Sequence, residues 1–431
     1  MAIDFLRILI LYARHAFPYL LRLARQKLLA VHHRYTYRPT EKPLNVVVIG
    51  ASFGGLHVAQ RLAETLPTGY RVVLIERNSH LNYVFAFPRF SVVSGYEERA
   101  FVPYDCIAKD APEGVFERKH AEVARVTSEQ VVLESGECVH YAMLVVATGC
   151  SQPRPARLRS RDSNGGCQEL RNLQGKVKEA GRIAVVGGGA VGVELAADIK
   201  SYYPDKAVTL VHSRQQLLNS FGPGLHKHTM EALEKLGLKI KLGERPAISD
   251  AGNEEKKGTL TFSDGNEEEF DLIVPCTGQR PNASILAELA PASSSKQTSR
   301  IMVKPTLQIS DHDDTTPYPN IFALGDVAET GGPKMARATM MQGEVVVNNV
   351  LNMIKHGKAS ATYTPQPEIE GAIKLTLGIR DFVMYTQDSM GSELLFSGSN
   401  GSEDIDAAKG WAWYGPGAKA MPKRRITEID E

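Results

Sequence analysis

The chain lacks any cysteine pairing. Its five cysteines (Cys106, Cys138, Cys150, Cys167 and Cys276) are odd in number, and no two stand in C-x-x-C or C-x-x-x-x-C spacing. A disulfide scaffold is not expected, a closely spaced redox dithiol is excluded, and a reducing compartment fits best. It also lacks a charge excess. Lys and Arg total 50 against 49 Asp and Glu, a formal net charge of +1, so there is no global electrostatic reason to bind nucleic acid. Even the most apolar stretch, at the N-terminus, is broken by arginine too often for the ~20 apolar residues of a membrane span. No metal-ligand set is assigned. What remains is ordinary globular composition over 431 residues, 43% hydrophobic and 23% charged. That length exceeds what one core usually serves, so two or three domains are expected.

Residues 1–35 read as a helix outside the globular fold. On an ideal helix Arg7, Arg14, Arg22 and Arg25 fall within a stripe roughly 80° wide, and much of the remainder is Phe, Leu, Ile and Tyr. Pro18 is expected to kink it. The first 38 residues hold seven Lys or Arg against one acid, Asp4. A basic stripe beside a broad apolar face suits peripheral attachment at an anionic membrane interface. An Arg-rich transit peptide and a helix packed on its own protein are the alternatives. Ala2 follows Met1, so the myristoylation pattern is absent. Residues 36–43 (TYRPTEKP) carry two prolines and read as a linker.

Two similar units follow. The first is the apolar run Asn45–Gly50 (NVVVIG), of the kind found in buried parallel strands. The turn Gly50–Gly55 (GASFGG), a helix to about Leu66 and the strand Arg71–Glu76 (RVVLIE) complete it. Gly50 permits the tight turn, Gly55 lets the helix pack close, and a pyrophosphate would rest on the N–H groups at the helix start. Gly54 belongs to the same turn, and Ser52 stands where a middle glycine is usual. Glu76, with Arg77 after it, ends the second strand, where a carboxylate accepts from ribose hydroxyls. The second unit runs from Arg182–Gly187 (RIAVVG) through Gly187–Gly192 (GGGAVG), with Gly189 in the middle, and a helix to about Ser201. Its second strand is Ala207–Val211. That strand ends in His212, Ser213 and Arg214, with no carboxylate, and Arg214 can pair with a 2′-phosphate. Tolerance of, or preference for, NADPH is therefore expected rather than strict NADH use.

Shorter signals connect the units. Leu144–Gly149 (LVVATG) and Leu272–Gly278 (LIVPCTG) are strands ending in Thr148-Gly149 and Thr277-Gly278. Asn320–Asp326 (NIFALGD) is a strand ending in Gly325-Asp326, and Lys334–Gln342 (KMARATMMQ) reads as a helix start. An Asp at position 326 can accept from a ribityl hydroxyl.

That order of motifs, over roughly residues 44–365, resembles the flavoproteins of the pyridine nucleotide–disulfide oxidoreductase superfamily. It is most similar to their thiol-free branch. Within that branch stand the apoptosis-inducing-factor-like mitochondrion-associated oxidoreductases, the ferroptosis suppressors among them, and the type II NADH dehydrogenases. His212–Arg214 and Lys374–Gly378 (KLTLG) resemble the former, and Ala338–Gln342 resembles the quinone-adjacent helix of the latter. Two departures stand out: Ser52, and an N-terminal helix in place of the lipidated glycine of the animal members.

The resemblance implies an α/β fold with two Rossmann-like domains. The FAD domain (44–152 and 284–365) is split by an inserted NAD(P)H domain (153–283), ahead of a smaller α+β region (366–431). It also implies FAD, NAD(P)H and a quinone-type acceptor, at a membrane on the cytosolic face or in the mitochondrion. Glu194 is placed near the nicotinamide, with a helix-dipole partner as its plainer role; Gln342 and Lys374 are candidates for the acceptor side. Trp411, Trp413 and Tyr414, followed by Lys419, Lys423, Arg424 and Arg425, suit a membrane face, a quinone entrance or a domain contact. A slow-turnover redox sensor of the apoptosis-inducing-factor type is the alternative function.

Overall fold

The computed structural model describes residues 2–248, 255–399, 401–415 and 421–424. Lys419 and Arg425 lie outside them. The run Val46–Val48 has no solvent exposure, because its strand Leu44–Ile49 sits inside a five-stranded parallel sheet. The order is Ile321–Ala323, Met143–Val146, Leu44–Ile49, Tyr70–Glu76, Phe116–His120. The chain leaves this sheet after Val146 and returns to it only at Ile321. Between lies a six-stranded sheet ordered Lys239–Leu242, Ala207–His212, Arg182–Val186, Glu267–Pro275, Lys256–Thr261, Ala247–Ile248. Its first four strands are parallel and its last two antiparallel. Strands covered on both faces need no polar alternation, which is why both units read as unbroken Val, Ile and Leu runs. The α/β fold is as expected, one dinucleotide fold inserted in another.

A three-stranded antiparallel sheet, Ile373–Thr376, Phe382–Gln387 and Glu393–Gly398, forms the C-terminal part. It packs on the second Rossmann unit through Leu375, Leu377, Val383 and Tyr385, which join the core of Val185 and Leu195. At the junction of all three parts lies a wholly buried ion pair, Arg89 Nε to Asp198 Oδ2 at 2.8 Å. The remaining Arg89 N–H groups donate to the carbonyls of Gly378 (3.0 Å) and Ser402 (3.1 Å). One guanidinium thus joins the first domain to the second and to the C-terminal region.

The helix Ala2–Thr36 corrects the sequence reading: it belongs to the globular body. It packs along Glu393–Gly398. Gln26 Nε2 donates to Glu344 Oε2 (2.8 Å), and His33 Nε2–H to the Leu66 carbonyl (2.6 Å). Its helical assignment runs unbroken through Pro18. The linker is pinned as well, since Tyr37 is buried and its hydroxyl donates to the Tyr70 carbonyl at 2.9 Å. Among the described residues no helix is long and apolar enough to cross a membrane.

Candidate dinucleotide sites and acceptor side

The two glycine turns are built alike. Gly50 and Gly187 have φ of +96° and +132°, and a Cβ at either would meet a carbonyl oxygen, of Ala147 or Cys276, at 2.5 Å. Only glycine suits that combination. A Cβ on Gly55 would collide with the Gly50 carbonyl, and one on Gly192 with the Gly187 carbonyl; these absences let each helix start against its strand. The middle positions, Ser52 and Gly189, both cap their helices with extended backbone, and a Cβ on Gly189 would meet nothing within 4 Å. Ser52 has φ of −79°, a conformation open to any residue, so the turn itself does not demand glycine there. Gly54 answers to packing, because its missing Cβ leaves room for Thr339 and Leu324.

The strand ends are the second shared device. Glu76, buried, accepts from the Ala51 N–H (2.5 Å) and the Asn78 N–H (2.7 Å). His212 holds the matching place in the second unit, where its Nδ1 accepts from the Gly188 N–H at 3.1 Å. Burial pushes the imidazole down from its usual pKa, in keeping with the neutral ring that this acceptor role needs. Sequence reading passed over His212 in favour of Arg214; laying one unit on the other would have found it. Arg214 is exposed; its carbonyl accepts from the Gly243 N–H at 3.1 Å, and among the described residues its guanidinium has no hydrogen bond or ion pair. Arg77 pairs with Glu122 at 3.1 Å on the surface.

Thr148 and Asn282 exchange hydrogen bonds of 2.9 Å where the two domains join. Gly149 and Gly278, with φ of +66° and +84°, leave open space beside this joint. Asp326 accepts from the Cys150 thiol (3.2 Å) and the Gln279 amide (3.4 Å). Gln342 is 1% exposed and already committed: its Oε1 accepts from the Gly325 N–H (2.9 Å) and its Nε2 donates to Thr330 (3.1 Å). It shapes the Gly325–Asp326 turn and has no amide group free to face an acceptor. Beside it Lys334 donates to the Ala328 carbonyl at 2.6 Å, and burial brings its ammonium down to about 8.

Glu194 keeps partial exposure, yet burial of its carboxyl raises the pKa to about 7, against hydrogen bonds from the N–H and hydroxyl of Thr376 at 3.0 and 3.1 Å. Thr376 shares its strand with Lys374, whose ammonium pairs with Asp406 (3.2 Å) and lies 4.7 Å from the centre of the Phe382 ring. The fold thus gathers Glu194 and Lys374 about one strand. Trp411 is buried, its indole donating to the Arg99 carbonyl at 2.8 Å, whereas Trp413 is exposed. Tyr414 instead joins an aromatic wall with Phe53, at 5.1 Å between ring centres; Phe53 stacks on Phe85 at 5.0 Å, and Tyr83 meets Phe85 edge-on at 5.4 Å. Phe53 comes from the first glycine turn itself. None of the five cysteines forms a disulfide.

The residues present fit two dinucleotides: glycine turns that a side chain would block, helix N-termini behind them, and an open middle position at Gly189 in the second. Comparison agrees. Residues 44–343 match the family model described as pyridine nucleotide-disulphide oxidoreductase. Fe-regulated protein 8 of Mycosarcoma maydis is 36% identical, covering 86% of this chain and 94% of that protein. Ferroptosis suppressor protein 1 of Taeniopygia guttata is 30% identical, covering 86% and 96%. The fold is also that of the sulfide:quinone oxidoreductase of Aquifex aeolicus, with a TM-score of 0.66 at 16% identity over 86% of this chain and 91% of that one. The chain belongs to the pyridine nucleotide-disulphide oxidoreductase family, and its two dinucleotides are FAD and NAD(P)H.

Proposed function

We propose that the protein oxidises NAD(P)H and reduces a quinone at a membrane surface, with FAD on the first glycine turn and the nicotinamide nucleotide on the second. When bound, the flavin supplies the two-electron chemistry that links them. The chain's own residues orient and exclude. Gly50–Gly55 and Glu76 hold one dinucleotide, Gly187–Gly192 with His212 and Arg214 the other, and Asp326 waits on a ribityl hydroxyl. Glu194, with a carboxyl titrating near neutrality, can hold or release a proton beside the nicotinamide.

The aromatic wall of Phe53, Phe85 and Tyr414 carries the assignment of the acceptor. It gathers aromatic rings next to the first glycine turn, with Phe85 exposed, a setting suited to a planar ring, while the described cysteines offer no dithiol to take the electrons instead. The apolar outer face of the N-terminal helix supports a lipid-soluble acceptor, since a long-chain quinone is reached only from the bilayer surface. The test is an acceptor screen on the purified flavoprotein, with NADH and NADPH in parallel. Turnover should be fast with quinones and slow with disulfides. A flavin that NADPH reduces but no quinone reoxidises would mark the protein as a redox sensor and overturn the proposal.

A further inference from the structure

The N-terminal helix carries its side chains in three stripes. Ile8, Tyr12, His15, Tyr19, Gln26 and His33 are spaced so as to share one docked side, roughly 60° wide, and each is buried or half-buried. Leu6, Ile10, Phe17, Leu21, Leu28 and Val31 form a second stripe and point outward, with Phe17 67% and Leu28 73% exposed. The arginines at 7, 14, 22 and 25 form the third and are all exposed. This inverts the usual order, in which a surface helix buries its apolar face and exposes its polar one. Here the mixed polar face is docked and the Leu/Ile/Phe face is left in water. So long an apolar stripe on a soluble monomer marks an interaction surface.

We infer that the helix is a rigid rail: its docked face stays on the body while its apolar stripe lies in the interface of an anionic bilayer. This rests on the membrane reading above and adds that the flavoprotein is held there in one orientation. The occupant follows from charge, because the arginine stripe flanks the apolar one and complements acidic headgroups. The rigidity follows from the clamps, which are spread from His15 to His33. His15 lies 3.4 Å from Glu368, and Gln26 bonds Glu344, which His57 also holds at 2.8 Å. His33 bonds the Leu66 carbonyl, and beyond the helix the Arg38 N–H donates to Thr68 at 3.0 Å. A helix on a loose tether would need none of these.

The experiment locks the helix down. In a Cys106→Ser/Cys138→Ser background, Gln26→Cys and Glu344→Cys are joined by a short bismaleimide, and sedimentation with phosphatidylglycerol/phosphatidylcholine vesicles is measured. The locked protein should bind within about threefold of the unlocked one, since the apolar stripe is untouched. A tenfold or greater loss on locking would mean that the helix must peel away, and the rail would be wrong. In the otherwise native chain, Phe17→Asp/Leu21→Asp should keep the flavin spectrum and lower vesicle affinity at least tenfold. Unchanged affinity overturns the inference, and so does a solution dimer that this double variant dissolves, which would make the occupant a second copy. Tight vesicle binding by the locked protein without turnover of an embedded long-chain quinone would sink the acceptor assignment and leave the rail standing.

Discussion

His212 stands in the second dinucleotide unit where Glu76 stands in the first. Each ends the second strand of its sheet, and each accepts from the N–H that follows the first glycine, at 3.1 Å from Gly188 and 2.5 Å from Ala51. The same backbone need is met by a carboxylate in one unit and a neutral imidazole in the other. A carboxylate repels a 2′-phosphate, and the imidazole does not.

Nucleotide choice follows from that difference. Placing a carboxylate in the second unit, His212→Glu, should raise KM for NADPH tenfold or more while NADH is used at least as well. Arg214→Ala should weaken NADPH alone, by about 1.5–3 kcal/mol if its guanidinium meets the phosphate. Steady-state kinetics with both nucleotides decide it; equal effects on both would refute the reading.

The glycine turns predict separable losses. Gly55→Leu drives a side chain onto the Gly50 carbonyl and should yield colourless protein with no FAD released on denaturation. Gly192→Leu makes the same collision at Gly187 and should leave a yellow protein that NAD(P)H no longer bleaches. Full FAD occupancy in the first variant would remove FAD from that turn.

Glu194 predicts a pH effect on stability. Its carboxyl is raised from 4.5 to about 7, so the folded chain keeps a proton that the unfolded chain has released. Stability from this group is therefore lost as pH rises through that window. Between about pH 5 and about pH 8, the Tm of the wild type should fall relative to Glu194→Gln, which keeps an acceptor for Thr376 and cannot ionise. Parallel Tm curves would show that the carboxyl titrates normally.

The buried pair predicts an asymmetry between single and double changes. Arg89→Met strands the Asp198 carboxylate and should cost about 3–5 kcal/mol in denaturant titration. Arg89→Met/Asp198→Leu removes both charges and should recover much of that loss. A double variant as unstable as the single one would locate the damage in the lost bonds to Gly378 and Ser402.

By itself the sequence determined the two dinucleotide units. Val46–Val48 and Ile183–Val185 announce strands covered on both sides, and Gly50, Gly55, Gly187 and Gly192 sit where a neighbouring carbonyl forbids a side chain. For Gly55 and Gly192 that carbonyl belongs to the same turn, and for Gly50 and Gly187 it comes from a distant strand, Ala147 or Cys276; the βαβ spacing of the glycines marks all four, so a linear reading reaches them. Contacts between distant segments were decided only by the tertiary structure. Arg89 and Asp198 lie 109 residues apart, and neither is marked by its neighbours. Gln342 looked available for an acceptor until the Gly325 turn was seen to occupy it. The N-terminal helix gave the most misleading signal. Its Leu and Phe stripe advertises an outer partner, while the face that docks is disguised by His15, Gln26 and His33. Those polar residues are legible as packing only once Glu368, Glu344 and the Leu66 carbonyl are brought against them. Periodicity reports which residues share a face; which surface that face meets depends on groups folded in from the rest of the chain.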